Sequence, residues 1–415
     1  MFTLNEKNKI AIVIQARHPT LPLYDKIEFE GLAKAAGYYI LKWYTQNIKQ
    51  INSKLLIGTG KLEEIIHNQQ IDFGEIQGDI ATRIERRIED DLVYLFMNRL
   101  KPSQIRNLSA VLMTKVIDRD LLILEIFERN ASTREAQIQI KLARLNLETS
   151  RIQKELSAKL KGEKQGRDFK GRGYGAFDVY RRGYKEQRKN LVEELESIRK
   201  QRDLRRKARS DVYNVSIVGY TSAGKTTLLN SWKGLNLKTD TSPFTTVSTT
   251  TRNFSINGDE MTISDSVGFV YDIPHEIIDA FLSTLEEVVF SDCIILMVDF
   301  SDPLVVIFQK LQTTFKVLVD IGALNIPVLY FMNKTDIIPI EDFSQKRSQI
   351  LEIIPKNAIV EFGSAFDEDT IERLSRKLYE IKNSLVLSTR VRSQEFLNVI
   401  DEKIKVHSSS VINQT

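Results

Sequence analysis

Apolar positions recur along the chain with two different periods, and the changeovers divide it into stretches of different texture. Between Ile10 and about Met113, short apolar runs alternate with amphipathic segments. Ile10–Gln15, Tyr38–Trp43 and Val93–Met97 have the length and the branched or aromatic content of strands; Ile27–Ala36 and the region near Lys61–Asn68 have helical spacing. This alternation predicts a small α/β unit. From Arg134 to about Leu160 the background turns charged, and Ile140, Ala143, Leu147, Ile152, Leu156 and Leu160 fall on one helix uninterrupted by proline. A second helix is predicted from about Tyr184 to Ala208, on Leu191, Leu195 and Ile198. Between them GEKQGRDFKGRGYGAFDVYRRG holds six of the chain's 19 glycines, which predicts a flexible basic loop. The pair reads as an antiparallel helical hairpin, with a splayed pair as the alternative.

From Val212 onward the alternation returns. Strands are predicted at Tyr213–Val218, Arg252–Ile256, Met261–Ser264, Cys293–Phe300, Pro327–Met332 and Ala358–Phe362, with helices between them. That order predicts a mostly parallel, doubly wound α/β sheet. The expected division is residues 1–133 (α/β domain), 134–210 (hairpin), 211–385 (second α/β domain) and 386–415 (a helix and a polar tail disordered over Ser408–Thr415).

Composition narrows the classes. Hydrophobic content of 42% with 27% charged residues describes an ordinary globular chain, and no stretch of 18 apolar residues occurs to span a membrane. The apolar run Ile10–Ile14 is too short for a secretion signal. The lone Cys293 excludes an intramolecular disulfide and suits a reducing, cytoplasmic location. Four scattered histidines argue against a zinc site. The net charge of +4 conceals a local feature: residues 151–210 carry 20 Lys+Arg against 9 Asp+Glu, a balance of +11, so the remainder sums to −7.

The candidate chemistry lies in the C-terminal half. Gly219-Tyr220-Thr221-Ser222-Ala223-Gly224-Lys225-Thr226 is a full GxxxxGK[ST] phosphate loop, after one apolar run and before a helix predicted at Thr226–Ser231. Its glycines let backbone N–H groups curl toward phosphate oxygens, Lys225 places a positive charge on the β- and γ-phosphates, and the Thr226 hydroxyl can ligate Mg²⁺. A chance glycine turn is the bland alternative, and the strand–loop–helix context weighs against it. Asp265-Ser266-Val267-Gly268 follows about 40 residues later. There Asp265 would hold Mg²⁺ through water, and the Gly268 N–H would sense a γ-phosphate.

Asn333-Lys334-Thr335-Asp336 directly follows the apolar strand predicted at Pro327–Met332. A carboxylate at Asp336 can accept from both the N1–H and the 2-amino group of guanine, whereas adenine would leave it buried and unpaired. Gly363-Ser364-Ala365 fits a loop whose backbone N–H meets guanine O6. Phe244-Thr245-Thr246-Val247-Ser248 belongs to a threonine-rich loop from which Thr246 is the expected ligand of Mg²⁺ and the γ-phosphate, with Thr245 and Thr249 as competitors. Lys225, Thr246 and Gly268 form the expected catalytic set. Phe269 stands where many small GTPases carry a water-orienting glutamine, so slow intrinsic hydrolysis, accelerated by a partner, is expected.

The stretch Asp265–Glu287, DSVGFVYDIPHEIIDAFLSTLEE, closely resembles the HflX family of ribosome-associated GTPases in its archaeal-like variant, where the pattern is DTVGFI..LPH.LV.AF..TLEE. Gly219–Thr226 and Phe244–Arg252 agree in position with the family, as do Leu56–Ile65, Leu100–Leu108, Val116–Arg119, Ile123–Phe127 and Ala131–Glu135. Ser248-Thr249 replaces the family's Asp-Pro, and Arg172–Ala176 stands where the family has a G-x-G-E run. Ile57-Gly58-Thr59-Gly60-Lys61 looks like a second phosphate loop but lacks the spacing and reads as a turn leading into a helix, although ATP binding by this domain has been suggested for the family. The resemblance, over about residues 10–385, implies a P-loop GTPase using GTP, GDP and Mg²⁺. It also implies association with the large ribosomal subunit and its rRNA, and splitting or recycling of ribosomes or a part in their biogenesis, notably under stress. A monomer without membrane attachment is expected. The charge of the hairpin suits such a partner: Arg167, Lys170, Arg172, Arg181 and Arg182 would meet phosphates, and Phe169, Tyr174, Phe177, Tyr180 and Tyr184 could stack on unpaired bases, a solvated helical face being the bland alternative.

Overall fold

In the computed structural model, β1 (Lys9–Arg17) is buried without a break from Ile10 to Ala16. A strand apolar on both faces belongs inside a parallel sheet covered by helices. It lies between β2 (Tyr38–Asn47) and β3 (Leu92–Phe96), and β4 (Lys115–Asp118) completes the order β2-β1-β3-β4 with every pairing parallel. The crossovers contain α1 (Lys26–Ala35), α2 (Thr59–Ile71) and α3 (Pro102–Leu112), and α4 (Arg119–Asn130) follows β4. The Asp25 carboxylate caps α1 by accepting from Ile27 N at 3.0 Å. Ile57–Lys61 forms the turn into α2, with the Gly58 N–H on Gln46 Oε1 at 3.0 Å. The structure describes residues 9–22, 24–71, 92–131, 133–162, 172–207, 212–232, 250–256, 258–266, 268–271, 277, 285, 287–323 and 325–383. Its compact units are residues 1–129 with 138–194, and residues 130–137 with 195–415.

The two long helices are α5 (Arg134–Gly162) and α6 (Arg172–Lys207). The latter starts twelve residues before its predicted beginning, so Arg172, Tyr174, Phe177, Tyr180, Arg181 and Arg182 lie on a helix and not in the expected loop. Each glycine in that turn costs about 1 kcal/mol relative to alanine. With no proline present, extending an established helix still adds one hydrogen bond per residue. Arg167, Phe169 and Lys170 fall outside the described residues, as does the 386–415 segment.

Antiparallel packing follows from one contact, the Tyr184 hydroxyl donating to Asn146 Oδ1 at 2.9 Å. Were the helices parallel, Gly162 and Arg172 would stand about 42 Å apart at 1.5 Å per residue. Ten residues of extended chain reach only about 36 Å. The hairpin is therefore antiparallel.

What ties α5 to the first sheet is a buried charge cluster. Arg151 Nη2 lies 2.7 Å from Asp118 Oδ2 and 2.8 Å from Asp120 Oδ2, and Arg99 Nε lies 3.0 Å from Asp120 Oδ1. Asp118 also accepts the N–H groups of Leu100 and Leu121, both within 3.1 Å. Burial holds the Asp118 carboxyl above the ordinary carboxylate range, and Arg151 pulls it back down.

The second sheet has β5 (Tyr213–Gly219), β6 (Thr250–Ile256), β7 (Asp259–Asp265), β8 (Cys293–Asp299), β9 (Val328–Asn333) and β10 (Ile359–Phe362) in the order β10-β9-β8-β5-β7-β6. Only β6 and β7 pair antiparallel. Helices α7 (Lys225–Ser231), α8 (Leu304–Asp320), α9 (Ile340–Leu351) and α10 (Glu368–Asn383) accompany it. The apolar residues Val215, Ile217, Ile295, Met297, Leu329 and Phe331 form its centre with Leu374 and Leu378 of α10. From β5 the sheet extends one way to β7 and β6 and the other way to β8, β9 and β10. Loops leaving neighbouring strands in opposite directions open a crevice at their carboxyl ends. No helix among the described residues is long and apolar enough to cross a membrane.

Arg151→Ala strands a buried carboxylate and should cost about 3–5 kcal/mol in urea unfolding. A carboxyl raised in the folded state takes its proton there first, so this deficit should shrink as the pH is lowered. A deficit that does not change with pH would show that Asp118 is not the group left behind.

Candidate active site

The crevice collects the motifs because parallel strands align their carboxyl ends: β5 ends at Gly219, β7 at Asp265, β8 at Asp299 and β9 at Asn333. Two glycines are required by contact. A Cβ on Gly219 would lie 2.4 Å from the Met297 carbonyl oxygen, and one on Gly224 would lie 2.4 Å from Asn333 Nδ2. Gly224 also has φ +98° where it starts α7, and Ser222 has φ +64°. The loop between them is a tight turn that places Lys225 and Thr226 at the head of the helix.

Lys225 is buried, and its Nζ donates to the carbonyl oxygens of Gly219 at 3.1 Å and Tyr220 at 2.8 Å. Burial pushes its pKa down to about 8, opposed by the negative charge of Asp265. The Thr226 hydroxyl donates to Asp265 Oδ2 at 2.9 Å. A hydroxyl and a carboxylate brought together beside the phosphate loop form an oxygen donor set suited to Mg²⁺. Gly268 approaches so closely that a Cβ would stand 2.9 Å from both Lys225 Nζ and Thr221 Cγ2. Ser266 turns to β5, its hydroxyl donating to Ile217 O at 2.6 Å.

On the other side, Asn333 spans the crevice. Its Nδ2 donates to Ala223 O at 2.7 Å, and its Oδ1 accepts from Ala365 N at 2.8 Å. Thr335 N donates to Gly363 O at 3.2 Å, which closes the 363–365 loop onto the motif. Gly363 can carry no Cβ, which would fall 2.3 Å from Thr370 Oγ1. Lys334 has φ +66° and an ion pair of 2.6 Å to Asp299 Oδ2. Asp336 is exposed on the 3₁₀ turn Thr335–Ile337, while Ser364 and Ala365 are buried.

The structure thus brings Gly219–Thr226, Asp265, Gly268, Asn333–Asp336 and Gly363–Ala365 to one edge of the sheet. Phe244, Thr245, Thr246, Val247, Ser248 and Val267 fall outside the described residues. Phe269 is 3% exposed, its ring packed into the protein. Asp299 was not singled out in the sequence. Its signal was available only through register, since it stands opposite Asn333 in the β8–β9 ladder.

A phosphate loop, a following acidic DxxG turn and an NKxD turn on a doubly wound sheet define a P-loop GTPase. Residues 214–334 match the family described as 50S ribosome-binding GTPase, residues 25–128 match GTP-binding GTPase N-terminal, and residues 130–209 match GTP-binding GTPase Middle Region. The GTPase HflX of Thermococcus kodakarensis is 33% identical over 352 residues, 84% of this chain and 74% of the relative. That of Saccharolobus solfataricus is 33% identical over 387 residues, 88% of this chain and 99% of the relative. The crystal structure of SsGBP in complex with GDP superposes with a TM-score of 0.50 at 26% identity, covering 91% of this chain and 99% of that one. The chain belongs to the HflX family of GTPases and is a GTP-hydrolysing enzyme.

Binding a polyphosphate should return Lys225 to its charged form. Its free-state pKa of about 8 lies below the ordinary 10.5, so binding takes up a proton only above about pH 8. Calorimetry of GDP binding at pH 9 in buffers of different ionisation heat should show uptake of about one proton, and none at pH 6.5. Equal heats at pH 9 in all buffers would show that Lys225 does not titrate.

Proposed function

We propose that this enzyme couples the hydrolysis of GTP to reversible association with the rRNA of the large ribosomal subunit, in splitting or recycling ribosomes. The observation that carries the nucleotide part is the Asn333 bridge, which fixes the base-reading turn against the phosphate loop. In this reading Asp336 accepts from N1–H and the 2-amino group of guanine, Lys334 covers the base, and the 363–365 loop lies on its O6 side. The Ala365 N–H is engaged by Asn333, so its part at O6 is to hold that side chain in place. The loop 219–226 holds the phosphates, with Lys225 on the β- and γ-phosphates. Thr226 and Thr246 would hold Mg²⁺, with Asp265 behind them, and the ion would neutralise charge developing on the phosphates. The Gly268 N–H would report the γ-phosphate, and Phe244–Ser248 would close over it. The buried ring of Phe269 supplies no water-orienting group, so turnover is slow until a partner orders the site.

The ribosomal part rests on the charge of the hairpin and on the description of the family matched by residues 214–334 as 50S ribosome-binding GTPases. Arg182, Lys185, Arg188 and Lys189 are exposed on α6, within the stretch of local charge +11. Such a surface attracts an RNA backbone and releases counterions on binding. A cytoplasmic monomer alternating between GTP-bound and released states is the corresponding cycle.

Asp336→Asn should weaken GTP binding by at least about tenfold and favour xanthosine nucleotides, whose 2-oxo group offers an acceptor where guanine has a donor. Unaltered base preference in a competition assay would remove Asp336 from base reading. For the partner, co-sedimentation with large subunits should be stronger with a non-hydrolysable GTP analogue than with GDP, and should fall steeply with salt. Changing Arg182, Lys185, Arg188 and Lys189 to glutamine should reduce the log–log salt slope by about one unit per lost phosphate contact. A slope indifferent to these charges would rule out hairpin–RNA contact.

A further inference from the structure

Tyr220 lies in the phosphate loop, but its side chain points to a task other than phosphate binding. The ring is 6% exposed, and the Lys310 ammonium sits 5.1 Å from its centroid, itself paired with Asp302. The Tyr220 hydroxyl accepts the backbone N–H of Tyr271, three residues beyond Gly268. The backbones are joined at the same place: Phe269 N donates to Gly219 O at 3.1 Å, and Thr221 N donates to Phe269 O at 2.7 Å, forming a parallel bridge between Tyr220 and Phe269.

Together these bonds fasten the 268–271 segment to the phosphate loop, and the fastened arrangement has a steric consequence. It presses Gly268 against Lys225 Nζ and Thr221 Cγ2, where even a Cβ would come within 2.9 Å. A phosphoryl oxygen bound to Lys225 needs about 2.8 Å of its own. In the proposed reading, on which this inference rests, Gly268 faces the γ-phosphate; a diphosphate lacks that group, so crowding there falls on the third phosphate.

We propose that Tyr220 is a positioning residue that sets the balance between GTP and GDP. By holding the Tyr271 N–H, its phenol stabilises the arrangement in which Gly268 crowds Lys225. A ligand shifts such an equilibrium only by its difference in affinity for the two arrangements, and the third phosphate supplies that difference. Lys310, stacked on the ring, keeps the phenol aimed at the backbone.

Tyr220→Phe keeps the ring and the cation contact and removes the hydroxyl that accepts from Tyr271 N. In the full-length protein, the affinity for a non-hydrolysable GTP analogue relative to that for GDP should rise about 3- to 10-fold, the weight of one net hydrogen bond. Amide exchange of the peptide containing Tyr271 should quicken in the GDP form of the variant. A purely structural role would lower both affinities and leave their ratio unchanged. An unchanged ratio, or unchanged exchange at Tyr271, overturns the proposal.

Discussion

The carboxamide of Asn333 is the constraint on which the site depends. One end donates to the carbonyl of Ala223 in the phosphate loop, and the other accepts from Ala365 beside the NKxD turn. A single planar group thereby fixes the distance between the part of the site that meets phosphates and the part that meets a base. The neighbours are adapted to it, since Gly224 must lack a side chain to let Asn333 Nδ2 pass. Both partners of the carboxamide are buried backbone atoms, one in the phosphate loop just before α7 and one in the loop that follows β10. A site assembled from residues more than a hundred positions apart in the chain needs such a crosspiece.

The rest of the second sheet follows from burial. Parallel strands with both faces covered read as nearly unbroken apolar runs, and β8 and β9 were legible for that reason. In the first sheet β4 was missed because its four residues, Lys115–Asp118, are too few to establish a period, and α4 because Leu122, Ile123, Leu124, Ile126 and Phe127 are buried almost all round. The start of α6 was misread since its glycines look like loop punctuation until the continuing helix is seen. The phosphate loop, the DxxG carboxylate and the NKxD turn were legible because their chemistry demands particular residue types at fixed spacing. Asp299, Tyr271 and Lys310 carry no such pattern. A lone aspartate at a strand end acquires meaning only when register sets it beside Asn333 and, through it, Lys334.

Charge is handled differently in the two parts of the hairpin. On α5, Arg151 enters the protein and is paired with Asp118 and Asp120, as burial requires. On α6, Arg182, Lys185, Arg188 and Lys189 stay in solvent, where a cation costs little. The same residue types thus fasten one helix and stay hydrated on the other, and burial alone separates the two cases.

The ion pair between Lys334 and Asp299 has a consequence for timing. Fixing a free lysine side chain typically costs up to about 2 kcal/mol of rotamer entropy. Here the chain is arrested beforehand, its backbone held at φ +66° and its ammonium 2.6 Å from a carboxylate. In the proposed reading, a purine arriving beside Lys334 would meet a surface already set, with no search for the right rotamer on capture.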